Sequence, residues 1–253
     1  MQERDADTLG GFAKGLAVIE AFDETRQRLT IADVARLTGL DRATSRRCLL
    51  TLTRLGYADF DGKFFSLTPR ILRLGHAYLA STPLPRIVQP YLERLSEATG
   101  ESCSCSILDG TEIVYVARAS QRRVMSIGLA VGSRLPAYCA SMGRVLLAAL
   151  PPGEAEARLR DTARPALTPR TRTDMADLMA ELERVRGQGY ALVDEELEIG
   201  LRAIAIPVLD TNGAVRAAMN IGCQAARVSP ERMIETFLPQ MQAMQKLIRS
   251  IVR

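Results

Sequence analysis

Three segments near the start of the chain repeat their apolar positions at spacings of three and four, the period of a helix with one buried face. They cover residues 12–22 ("FAKGLAVIEAF"), 32–38 ("ADVARLT") and 42–55, with Thr30 and Asp41 placed as N-caps and Gly39 as a stop. In the third segment Ser45, Cys48, Leu49, Leu52 and Leu55 fall on one face. The period then changes. "YADFDGKFFSLT" sets Asp61-Gly62 between Tyr57, Phe60, Phe64 and Phe65, and such a turn between β-formers predicts a hairpin. Three short helices followed by a hairpin are the element order of a winged helix-turn-helix.

Pro69 suits the first position of a further helix over 69–81, which "TPLP" at 82–85 closes. The expected organisation is therefore a winged helix over 1–68, a linker helix over 69–83 and a second domain over 84–253. In that domain helices are expected at 86–100, 141–150, 175–188 and 231–253. Strands are expected on both sides of Asp109-Gly110, at 125–131, at 203–209 and at 214–222, the last pair joined at Asn212-Gly213. Residues 151–173 read as a polar, proline-spaced connection. Hairpins mixed with helices make the fold class α+β rather than a doubly wound parallel sheet.

Charge adds a function to the third helix. Arg42, Thr44, Ser45, Arg46 and Arg47 lie in its first two turns, with Arg46 opposite the apolar face, and Lys63 sits at the hairpin tip. Reading helices touch bases with their amino-terminal residues, and arginine serves guanine or phosphate. The alternative is a solvated basic face. Residues 1–80 hold 12 Lys or Arg against 10 Asp or Glu, so the argument is local, and specific affinity calls for a dimer on two half-sites.

Composition bounds the other classes. The 253 residues carry a net charge of +4, with 47% hydrophobic side chains. Neither a secretion signal nor an apolar run long enough for a membrane span is visible, and a cytoplasmic protein is expected. The five cysteines are scattered without a CxxC pair. With His76 as the single histidine, a Ser-His-acid triad or a two-His zinc site within the second domain has no base or ligand to use. No phosphate-binding loop is present, so no enzyme activity, cofactor or metal is expected.

The runs "IADVARLTGLDRATSRRCLLTLTRLGY", "FSLTPRILRLGHAYL", "VGSRLPAYCASMGRVLLA" and "GYALVDEELEIGLRAIAIPVLD" resemble the IclR family of bacterial transcription regulators. "GESCSCSILDGTEIVYVAR" is most similar to its subgroup that controls the β-ketoadipate pathway. The resemblance implies a C-terminal, GAF-like effector-binding domain with a curved antiparallel sheet, and dimers or dimers of dimers on palindromic double-stranded operators. It also implies a small organic acid as effector. Val193, Ala203 and Leu209 depart from the residues frequent in the wider family. An apolar Val193, where a polar residue meets a small keto acid in one branch, argues for a bulkier aromatic acid.

Carried onto matching positions, the resemblance implies a pocket of Ile127, Leu135, Ser141, Met142, Val193, Leu201, Asn220 and Gly222. Strand alternation independently puts Ala218, Asn220 and Gly222 on one face. A buried Asn220 needs a partner, either backbone or a ligand oxygen. Ser141-Met142-Gly143 opens a helix whose free N–H groups suit a carboxylate. Arg134, with Arg202 second, is expected as the matching cation; for each, an ion pair with Glu195, Glu196 or Glu198 is the alternative. A second domain that only oligomerises, or that senses a non-aromatic metabolite, is the rival account.

Overall fold

The computed structural model describes residues 8–23, 25–121 and 128–252. The chain divides into two compact units, Met1–Ala80 and Ser81–Arg253. The first contains α1 (Gly10–Glu20), α2 (Ile31–Thr38), α3 (Arg42–Arg54) and the antiparallel hairpin of β1 (Ala58–Phe60) and β2 (Phe65–Leu67). A 3-10 turn at Pro69–Ile71 then leads into α4 (Leu72–Ser81).

Local chemistry sets the ends of these helices. Thr30 Oγ1 accepts from Asp33 N at 3.2 Å while the Asp33 carboxylate accepts from Thr30 N at 3.0 Å, a reciprocal cap on α2. Gly39, at φ 69°, ends α2 in the left-handed region that glycine tolerates best. Asp41 caps α3 by accepting from Thr44 N at 2.8 Å. Val18, Val34, Leu49 and Phe65 form the fully buried centre of the unit. Leu29 exchanges two backbone hydrogen bonds with Phe65, at 3.0 and 2.8 Å, and so ties the segment before α2 to the hairpin.

The second unit is built on a six-stranded sheet in which every pairing is antiparallel. Its strands are β3 (Ser102–Asp109), β4 (Glu112–Ala119), β5 (Arg134–Pro136), β6 (Ala191–Asp194), β7 (Leu201–Leu209) and β8 (Val215–Gln224). They lie in the order β5-β4-β3-β8-β7-β6. The helices are α5 (Leu84–Thr99), α6 (Ser141–Ala149), α7 (Pro152–Arg160), α8 (Met175–Gln188) and the short α9 (Pro230–Arg232). A π-helical turn at Met233–Phe237 joins α9 to α10 (Leu238–Arg249).

Alternation along the strands divides the core in two. Cys103, Cys105, Ile204, Met219 and Ile221 pack with Val88 and Leu92 of α5 and Met241 and Ile248 of α10. Tyr115, Ala205 and Ala218, on the other face, pack with Val145 of α6 and Leu178 and Leu182 of α8.

The architecture is α+β, with four departures from expectation in detail. The polar connection contains α7, begun by Pro152 and braced by the Glu154–Arg158 pair at 2.8 Å. The short strands β5 and β6 were not foreseen. The described part of the strand expected at 125–131, residues 128–131, is not a strand, and the rest lies outside the described residues. The π-helical turn interrupts the terminal helix.

Candidate effector cavity and basic helix

A concave space, partly open to solvent, lies between one face of the sheet and the amino end of α6. Two rows of side chains, read across the strands, form its floor. Ser102, Gly222, Ala203 and Val193 are successive partners on β3, β8, β7 and β6. Arg118, Ser104 and Asn220 are successive partners on β4, β3 and β8. Gly222 and Ala203 make the room, for a Cβ added at Gly222 meets nothing within 4 Å. Ile113, Tyr115, Leu135, Met142, Leu197 and Leu201 supply apolar walls.

The polar groups on this surface are few. Asn220 is 8% exposed, and its Oδ1 is buried without a hydrogen-bond partner. With no donor from the protein, that acceptor is left to water or a ligand. Ser141 is buried at the first position of α6, which has no side-chain cap. Arg144 N, donating to Ala140 O at 2.9 Å, begins the helical ladder, so the amides of Ser141, Met142 and Gly143 precede it. Gly143 lies against the backbone of Ala137, where a Cβ would collide, and this close approach holds the amino end of α6 over the sheet.

A buried ion pair fixes the remaining wall. The fully buried Arg144 grips Glu196 with Nη1 at 2.7 Å and Nη2 at 2.5 Å, while its Nε donates to Tyr138 O at 3.0 Å. Glu196 also accepts from Arg172 N at 3.0 Å. The hydroxyls of Thr168 and Thr171 donate to Glu195 O and Glu196 O at 2.7 and 2.6 Å. Residues 168–172 thus act as a strap on the 195–200 loop, whose Leu197 faces the cavity.

Of the residues expected in the pocket, Leu135, Ser141, Met142, Val193, Leu201, Asn220 and Gly222 come together around this space. Ile127 lies outside the described residues. Arg134 does not join them, and the expectation is corrected: it is exposed on β5, with Nε on Glu112 and Nη2 on Asp109, both at 2.7 Å. Arg202 is likewise engaged, by Asp194 at 2.7 Å and by the carbonyl of Ala225 at 2.9 Å. Tyr138 belongs to the core and donates its hydroxyl to Pro165 O at 2.6 Å. Cys139 borders the cavity, but burial pushes its thiol up to about 11, and those of Cys103, Cys105 and Cys223 up to about 12. Protonated thiols are poor nucleophiles. Among the described residues the cation on the cavity surface is Arg118, a residue that strand alternation hides.

On α3, Arg42, Arg46 and Arg47 are exposed, as is Lys63 beyond β1. Arg47 is braced by donating from Nη2 to Thr44 Oγ1 at 3.0 Å. Thr44 and Ser45 are corrected: they are 7% and 0% exposed, and their hydroxyls are spent on Asp41, at 2.7 Å to its carboxylate and 3.0 Å to its carbonyl. Their work is structural. Arg54, also exposed, extends the basic face. Arg28 pairs with Asp61 and lies 4.9 Å over the Phe64 ring, bringing a further cation to the hairpin. No local pattern announces that placement, because the two segments meet 33 residues apart.

Among the described residues no group of three His, Cys, Asp or Glu is placed to hold a metal, and no helix is long and apolar enough to cross a membrane. Residues 12–62 match the IclR helix-turn-helix domain, and residues 76–249 match the C-terminal domain of the bacterial transcriptional regulator IclR. The Pca regulon regulatory protein of Pseudomonas putida is 47% identical over 236 residues, 93% of this chain and 81% of that protein. The p-hydroxybenzoate hydroxylase transcriptional activator of Acinetobacter baylyi is 40% identical over 98% of this chain and 94% of its own length. The inducer-binding domain of a double mutant of PobR from Acinetobacter, solved with 3-hydroxybenzoic acid, aligns with a TM-score of 0.64 at 35% identity, covering 66% of this chain and 98% of that one. Domain matches across both units and relatives this similar are regulators of transcription, not enzymes, and the chain belongs to the IclR family.

Proposed function

We propose that this regulator binds a small aromatic acid in the cavity of its second unit and thereby controls genes of aromatic-acid catabolism, those of the β-ketoadipate pathway. The observation that carries the reading is the orphaned Asn220 Oδ1 on an otherwise mostly apolar cavity surface, an acceptor waiting for a ligand donor. A domain that served only oligomerisation would have no use for a polar group aimed into that cavity. The p-hydroxybenzoate link of one relative and the hydroxybenzoic acid held by the PobR domain support an aromatic effector.

In this reading residues 1–68 bind double-stranded DNA through Arg42, Arg46, Arg47 and Lys63, residues 69–83 link, and residues 84–253 sense. The work is done in the cytoplasm. A palindromic operator calls for two copies. The exposed Leu9, Phe12 and Leu16 at and along α1 offer an apolar face for a second copy. The effector favours one arrangement of the two winged helices over another, a shift of population.

Titration calorimetry with 4-hydroxybenzoate, protocatechuate, β-ketoadipate and cis,cis-muconate tests the reading. Saturable heat with an aromatic member, and a change in operator affinity on adding it, is the expected result. No heat and no thermal shift with any of the four overturns it.

A further inference from the structure

Strict alternation along β4 from Ile113 and Tyr115, which face the cavity, would put Ala117 and Ala119 there and turn Arg118 into the core beneath α5 and α10. The strand does not alternate strictly. Tyr115 pairs with Ser106 and Ala117 with Cys105, so Val116 is an extra residue, a β-bulge. Val116, Ala117 and Ala119 accordingly pack in the α5 core, and Arg118 is swung onto the cavity face beside Ser104 and Asn220. Gln89 of α5 holds the re-aimed residue in place, accepting from Arg118 N at 3.3 Å and donating to Arg118 O at 3.1 Å.

The guanidinium is poised but not neutralised. Its Nη1 donates to Ser104 Oγ at 2.8 Å and its Nε to Ser120 Oγ at 2.9 Å. No carboxylate among the described residues pairs with it, whereas Arg134, Arg144 and Arg202 each hold one. Nη2 has no hydrogen bond to any described residue, and Nη1 carries a second N–H beside the one given to Ser104, so the guanidinium keeps donors for a planar, two-oxygen anion. The amino end of α6 offers only a partial positive charge, about half a unit, with no such fork.

Resting on the aromatic-acid reading above, we infer that Arg118, placed by the bulge at Val116, is the group that binds the effector's carboxylate. Ligand and residue are varied together to test it. The full chain, its Arg118→Gln and Arg118→Lys variants, and Arg134→Gln as a control are titrated with 4-hydroxybenzoate and with 4-hydroxybenzamide, which keeps ring and hydroxyl but lacks the charge. The wild type should prefer the acid by at least tenfold. Arg118→Gln should lose at least tenfold for the acid and nothing for the amide, Arg118→Lys should recover part of the loss, and Arg134→Gln should bind like the wild type. Should Arg118→Gln fail to fold, the wild-type preference and the Arg118→Lys value decide: equal binding of acid and amide by the wild type overturns the inference. So does an Arg118→Gln protein that keeps the preference, while the aromatic-acid reading survives. A wild type that binds neither probe nor any acid of the panel overturns that reading instead, and the inference with it.

Discussion

In the proposed reading Asn220 is kept for recognition rather than for stability. Its buried Oδ1 accepts from no protein group, and a ligand hydroxyl would supply the donor. Asn220→Ala is therefore expected to leave the thermal midpoint of the ligand-free protein unchanged or raise it. The same variant should lose the wild type's preference for 4-hydroxybenzoate over benzoate, read by calorimetry; a lowered midpoint with the preference intact would contradict this role. The residue was visible in the sequence because β8 alternates regularly around it, Met219 and Ile221 entering the core and Asn220 and Gly222 the cavity. Arg118 was not visible, because one extra residue at Val116 reverses the faces beyond it and no side-chain pattern marks a bulge. Arg134 misled for a different reason. Its neighbour Leu135 does face the cavity, but adjacent strand residues point oppositely, and Glu112 and Asp109 wait on the other side.

The elements of the first unit follow from chemistry local to each. The caps at Thr30 and Asp41, the stop at Gly39 and the Asp61-Gly62 turn all depend on residues a few positions apart, which is why they could be read in advance. Thr44 N, then the Thr44 hydroxyl, hold the Asp41 carboxyl below its ordinary value of 3.8. A carboxyl lowered in the folded state contributes stability that is present above that ordinary value and is lost as pH falls through the lowered one. Asp41→Ala should destabilise the first unit near neutrality. Denaturation followed from pH 7 to pH 2 should show this gap between wild type and variant narrowing at the acid end; a gap that widens there would rule the cap out as its source. Helix α7 escaped notice although Pro152, Glu154 and Arg158 are sound helix signals, because neighbouring prolines and threonines dominate the composition of residues 151–173.

At the scale of the whole molecule, two units with different chemistry share one chain: a basic helix surface in the first and a mostly apolar cavity in the second. Hydrophobic periodicity and turns made the α+β class and most of the sheet legible. What joins distant segments was not, above all the strap at 168–172 and the buried Arg144–Glu196 pair, whose partners lie 52 residues apart. Glu196→Ala leaves the buried Arg144 only the more distant Glu181, at 3.9 Å, and should destabilise the second unit by about 3 kcal/mol in urea unfolding. Replacing both partners with apolar residues should cost less, and a neutral Glu196→Ala would show that the pair does not hold the cavity wall. The central claim is that the effector sits on the floor made by Gly222 and Ala203, and Gly222→Val fills that floor without meeting a neighbour at its Cβ. The most direct test is calorimetric titration of wild type and Gly222→Val with 4-hydroxybenzoate, alongside their melting midpoints. Saturable heat for the wild type, at least a tenfold weaker response for the variant and similar midpoints are expected; equal affinity in both proteins would rule this placement out.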